Sequence, residues 1–150
     1  MNIFPKIGVT AGSFDLIHPG HIIMLQDCKK VCDYLVVLLQ SDPSIDRISK
    51  NKPIQTIEER KIMLESIKYV DKVIIYNTEN DLRHWLTDNE QKISVRIIGS
   101  DHEGKNITAG ELNIPIYYHN RNHDWSSTNM RYRVWLNENN KKRLLGILDI

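Results

Sequence analysis

Cysteine is scarce in this chain of 150 residues: only Cys28 and Cys32 occur. Two thiols cannot build a disulfide framework, and their spacing is not that of a Cys-x-x-Cys metal or redox pair. They lie four apart on an expected helix, hence on one face, and read as small apolar residues packing inward. An excess of one charge is also missing. Lys and Arg number 20 against 19 Asp and Glu, a formal net charge of +1. That balance argues against a general binder of nucleic acid or of membrane surfaces, so neither is expected as a partner. No apolar run approaches the roughly 20 residues that span a bilayer. The start, Met1-Asn2-Ile3-Phe4-Pro5-Lys6, has no basic segment leading into a long apolar core, so a signal peptide is not expected and a cytoplasmic location is. Repeats and low-complexity blocks are absent too.

What is present is alternation. Short apolar runs at Lys6–Ala11, Tyr34–Leu39, Asp71–Tyr76, Val95–Gly99 and Ile114–Tyr118 read as strands. The run Tyr34–Leu39 is apolar throughout, as a strand covered on both faces must be. Pro115 marks the last of the five as an edge strand. Between them stand helical patterns: Gly20–Val31, a segment opened by the capping box Thr56-Ile57-Glu58-Glu59, and Asn80–Asn89. Ser126 or Ser127 caps a final helix. This order predicts an α/β, Rossmann-like, five-stranded parallel sheet with helices on both faces. One domain is expected over 1–136, followed by a 137–150 tail. The tail pairs a polar stretch, Asn137–Lys142, with an apolar patch at Leu144–Leu148.

Ligands of such sheets sit beyond the carboxyl ends of the strands. The decapeptide Gly12-Ser13-Phe14-Asp15-Leu16-Ile17-His18-Pro19-Gly20-His21 lies there, between strand one and helix one. Helix starts bind phosphate, and Gly20 lets a phosphate approach the backbone. Imidazoles at i and i+3 can donate to oxygens that gain charge when a phosphoryl group is attacked. Helix capping and zinc chelation are the competing accounts of His18 and His21. No third and fourth ligand stands near enough in sequence to favour zinc. The hydroxyls of Ser126, Ser127 and Thr128 at another helix start suit phosphates equally, with plain N-capping as the alternative.

The decapeptide resembles the G-[ST]-F-D-x-x-H-x-G-H signature of the HxGH nucleotidyltransferases. Trp125-Ser126-Ser127-Thr128-Asn129-Met130-Arg131 resembles that superfamily's I-S-[ST]-T-x-x-[RK] element. Within it the chain is most similar to the cytidylyltransferases, in particular the glycerol-3-phosphate cytidylyltransferases. Glu59–Asp71 is similar to their H-R-K-x-x-L-E-x-I-x-Y-V-D stretch, Gly99–Lys105 to G-D-D-W-E-G-K, and Arg121 falls where they have an arginine.

The resemblance implies CMP transfer from CTP to a small phosphorylated acceptor, with Mg²⁺ as cofactor and a homodimer pairing near Arg60–Asp71. It implies catalytic roles for His18, His21, Lys50, Lys52 and Arg121. It places Thr10, Ala11, Gly12, Ser13, Phe14, Asp15 and Gly20 around the nucleotide. Gly99, Asp101, Trp125, Ser126, Ser127 and Thr128 complete that set. Arg60, His102 and Lys105 are implied at the acceptor, and Asp15 as a ligand of Mg²⁺. Ordinary roles compete for several: a solvated helix face for Arg60, loop charges for Lys50 and Lys52, a helix cap for Asp101.

The chain departs from that pattern at Asn122-His123-Asp124, at His102 in place of tryptophan and at Trp125 in place of isoleucine. His18-Pro19-Gly20-His21 also resembles the heptose-phosphate adenylyltransferases and archaeal-type FAD synthetases. ATP-dependent transfer to a sugar phosphate or FMN is therefore an alternative expectation. A nucleotide-binding module without turnover is a third.

Overall fold

The computed structural model describes residues 4–146. Six successive residues, Leu35 to Gln40, are buried in the strand Tyr34–Gln40 (β2), which therefore lies inside the sheet. Its neighbours are Ile7–Gly12 (β1) and Lys72–Tyr76 (β3). Val95–Gly99 (β4) follows on the far side of β1, and Ile116–His119 (β5) forms the edge, just after Pro115. The order is β3-β2-β1-β4-β5, parallel throughout.

The expected capping box forms: Thr56 accepts from Glu59 N–H and starts the helix Ile57–Glu65 (α2). Thr78 and Asp81 do the same for Glu79–Asn89 (α3). The helix Pro19–Val31 (α1) and α2 bury Leu25, Cys28 and Leu64 against Leu35, Val37, Leu39 and Ile97 on one face of the sheet. On the other face α3 buries Leu82 and Leu86 against Val9, Val36 and Leu38. The sheet with helices on both faces is thus the predicted one. Both cysteines are free and buried, and burial raises both thiol pKa values, which suppresses the reactive thiolate.

The last helix, Ser127–Leu144 (α4), runs through the boundary expected at residue 136. The expected tail is helical as far as Leu144. Polar residues there do not need a core, and Lys141, Lys142 and Arg143 complement the helix's negative end. Leu144 and Leu145 are exposed, and Ile147 and Leu148 of the terminal patch lie outside the described residues. Among the described residues no helix is long and apolar enough to cross a membrane.

The chain reverses direction across the sheet between β1 and β4, a topological switch point. The ladder there stops early, at Gly8↔Val95 and Val9↔Arg96, whereas β1 pairs with β2 along six residues. Beyond it the Thr10 hydroxyl bridges the two strands, donating to Ile97 O at 3.0 Å. A cavity of about 440 Å³ opens over this gap.

Candidate active site

Three features make the start of α1 a phosphate-sized cradle. His18 is its N-cap, in extended conformation, with Nδ1 accepting from Gly20 N–H at 3.1 Å. His21 returns the favour, its Nδ1 accepting from His18 N–H at 3.2 Å. The two rings lie 3.9 Å apart, and Phe14 backs His21 at 5.5 Å. An imidazole whose Nδ1 accepts carries its proton on Nε2. Both histidines line the cavity, so each offers it a neutral Nε2–H donor. Gly20 lies beneath: a Cβ there would come within 2.8 Å of His18 and 2.9 Å of His123.

Burial is the main cause holding both imidazoles neutral. It lowers the His18 pKa, helped by Arg121 and His123. It pushes His21 down to about 3, helped by His18 and Arg121 and opposed by Asp15. The sign follows from linkage. Between about pH 3 and 6.5 the unfolded chain binds the His21 proton and the folded chain does not, so stability falls as pH drops through that window. We expect urea unfolding to show a loss of up to about 1.4 kcal/mol per pH unit from this residue. His21→Gln should flatten the slope between pH 6.5 and 5, and an unchanged slope would rule out the neutral, buried imidazole.

The loop before α1 is tightly anchored. Phe14 and Leu16 both hold positive φ, 47° and 52°, a conformation costly for side chains of this size. The buried Asp15 between them accepts from the N–H groups of Ile54 and Gln55 at 2.8 and 2.9 Å. Arg60, 2% exposed, donates to four carbonyls: Ser13, Gln40, Ser41 and Gln55. The end of β1, the end of β2 and the start of α2 are thereby tied into one junction. These placements correct two expectations. Arg60 is no solvent-facing acceptor ligand, because its guanidinium is engaged by backbone oxygens. Asp15 does not fit a Mg²⁺ site: it is buried and not in the cavity wall, both oxygens are already turned to amide protons, and Arg131 Nη1 stands 3.8 Å from Oδ2. Among the described residues no cluster of three or more His, Cys, Asp or Glu side chains gathers as a metal site.

Residues 9–133 match the family described as cytidylyltransferase-like. The chain belongs to the cytidylyltransferase-like family. It is 35% identical over 108 residues to the bifunctional protein HldE of Paramagnetospirillum magneticum, covering 71% of this chain and 22% of the relative. It is 36% identical over 104 residues to HldE of Campylobacter fetus, covering 69% and 22%. The match thus spans about a fifth of these curated relatives. The crystal structure of the lipopolysaccharide core biosynthesis protein from Thermoplasma volcanium has a similar fold. Its TM-score is 0.62 at 23% identity, over 81% of this chain and all of that one.

Around this cytidylyltransferase-like cavity stand many of the residues named from sequence. Thr10, Ala11, Gly12 and Ser13 line it from β1, and Lys50 from the loop after β2. Gly99, Asp101, His102 and Arg121 line it from the ends of β4 and β5. Lys52 and Lys105 are exposed and are not in its wall. Phe14 packs in the core. Trp125, 43% exposed, lies outside the wall and receives Arg121 Nη2–H on its carbonyl. Ser126 caps α4 by accepting from Asn129 N–H, and Ser127 Oγ donates to Asp15 O, which docks that helix on the motif loop. Thr128 is exposed in the first turn of α4.

Other cavity residues have no role assigned to them from the sequence. His123 covers Gly20 as a third imidazole, with Nδ1 accepting from Trp125 N–H and a buried Nε2 that has no partner among the described residues. His119 is 4% exposed, with Nδ1 2.7 Å from Asp27 on α1 and its Nε2 likewise unpartnered. Gln40, Glu79 and Arg96 form a polar floor on the α3 side. The departure at Asn122–Asp124 was a signal for His123. The others sit in strands and at a helix start, where nothing in the local sequence distinguishes them from structural polar residues.

Proposed function

We propose that this chain transfers a nucleotidyl group from a nucleoside triphosphate to a small phosphorylated acceptor, releasing pyrophosphate. The observation that carries this reading is the pair of neutral imidazoles at the start of α1, each with Nε2–H free for the cavity. An oxygen of the acceptor phosphate attacks the α-phosphorus, forming a new P–O bond. The bond to the α,β-bridging oxygen breaks, and its electron pair leaves with pyrophosphate. No protein nucleophile is needed. His18 and His21 donate to α-phosphate oxygens as they gain charge, and Arg121 and Lys50 add positive potential. Ser126–Thr128, at the start of α4, receive the departing phosphates. Mg²⁺ is proposed to travel with the triphosphate, as the Asp15 geometry offers it no ligand.

The proposed donor is CTP and the proposed acceptor a polyol or sugar phosphate, supported by the likeness of Glu59–Asp71 and Gly99–Lys105 to the glycerol-3-phosphate cytidylyltransferases. A second reading is adenylyl transfer from ATP to a sugar phosphate. The similarity to HldE proteins and the His18–His21 block support it. Pairing into a homodimer is part of the proposal, and the exposed Ile62 and Met63 on α2 support it. A pyrophosphate-release assay crossing CTP, ATP, GTP and UTP with polyol and sugar phosphates should show turnover with CTP. Turnover with ATP alone would move the assignment to adenylyl transfer. Tight nucleotide binding with no acceptor turned over would make the chain a binding module.

A further inference from the structure

Two arginines are buried in this domain, and they are treated differently. Arg60 has a backbone carbonyl for nearly every direction its guanidinium faces. Arg96, on β4 and 7% exposed, has one hydrogen bond among the described residues, from Nη1 to Thr108 O at 2.6 Å. Its remaining N–H groups open on the cavity it lines. These donors are not sealed from solvent, so a ligand in the cavity can take them without breaking a protein hydrogen bond.

The surroundings define what completes it. Glu79 is the nearby carboxylate, and it already accepts from Arg47 Nη2 at 2.9 Å, Thr108 Oγ1 at 2.7 Å and Gln40 Nε2 at 3.4 Å. The Gln40 carbonyl oxygen in turn accepts from Tyr76. Each Glu79 oxygen thus already has a protein donor, while the N–H groups of Arg96 beyond Nη1 have no protein acceptor among the described residues. A hydroxyl placed here brings a proton that needs its own acceptor. A carboxylate or phosphate only accepts, and matches a guanidinium fork in two places. Arg47 pairs with Glu79, whose own N–H is taken by the Asp46 carboxylate, so among the described residues Arg96 has no ion-pair partner of its own.

Position gives the group its role. Arg96 pairs with Val9 in the sheet, and Val9 belongs to the core on the α3 face. His18 and His21 start α1, which packs on the opposite face. A small molecule lying across the switch point would put its reacting phosphate beside the imidazoles and its far end on Arg96. We infer that the acceptor carries a second anionic group, remote from the reacting phosphate, and that Arg96 reads it. The inference rests on the nucleotidyl-transfer reading and narrows the acceptor to a phosphorylated hydroxy or sugar acid, or a bisphosphate.

The test compares acceptors matched except at that end: glycerol 3-phosphate with 3-phosphoglycerate, sorbitol 6-phosphate with 6-phosphogluconate, and sorbitol 1,6-bisphosphate as the phosphate arm. In the wild type, kcat/KM for the doubly anionic member should exceed that of its polyol twin by about 10- to 100-fold, as expected for a hydrogen bond to a charged group. The better of the acid and bisphosphate arms identifies the anion. In Arg96→Gln that ratio should fall to about 1, chiefly through KM. Preference for the polyol twin, or an unchanged ratio in Arg96→Gln, overturns the inference while leaving nucleotidyl transfer intact. Absence of turnover with every acceptor and triphosphate removes both. The wild-type comparison stands even if the variant does not fold.

Discussion

Replacing His18 with asparagine should leave a folded protein that has lost about 10²- to 10³-fold in kcat, the usual cost of removing one preorganised donor to a developing charge. Asparagine is chosen because His18 has two jobs. Its Nδ1 caps α1 by accepting from Gly20 N–H, and its Nε2–H faces the cavity. An asparagine oxygen can take over the cap, since asparagine ranks among the best N-cap residues. It cannot supply a donor at the imidazole's reach while its oxygen holds the cap. His18→Ala removes both functions, and should cost about 1 kcal/mol of stability in addition to the lost rate. Thermal melting and single-turnover pyrophosphate release separate the two effects. Near-normal turnover in a folded His18→Asn would remove His18 from the chemistry and leave it a helix cap.

Arg60→Ala should be the most destabilising single substitution in the domain. Four buried or half-buried carbonyls, from Ser13, Gln40, Ser41 and Gln55, lose their donor at once. At about 1–3 kcal/mol for each unsatisfied group, the sum rivals the whole stability of a small domain. Lysine does not rescue the site, because one ammonium cannot fan out to carbonyls on three segments. The expected readout is loss of soluble protein, or a melting temperature lowered by more than ten degrees (about 4–8 °C per kcal/mol in small domains). A normal melt with a raised acceptor KM would return Arg60 to the substrate-binding role that its sequence context suggested.

The contrast between Arg60 and Arg96 shows where sequence reading stops. Arg60 stands in a segment that resembles a known motif, which invited a ligand-binding role. Arg96 stands in an apolar strand, where nothing marked it. Which carbonyls a guanidinium meets depends on segments 19 to 47 residues away, and spacing along the chain does not encode that. Asp15 is a similar case. Its place in the signature suggested a metal, yet its partners are amides near residue 54, across a loop. The extent of α4 is hard to read for a simpler reason: only its first turns touch the domain, and its later, polar turns carry no apolar stripe.

The sequence by itself determined the five strands, the helices between them, and the pairing of His18 with His21 at a helix start. Those features depend on periodicity, capping and spacing within a few residues, which local physics fixes. The tertiary structure decided the strand order, with its early parting of β1 from β4, and hence the cavity. It also decided that a third imidazole, His123, closes over Gly20. It decided, finally, which of two buried arginines is saturated by the fold and which still has hydrogen-bonding capacity left for a ligand.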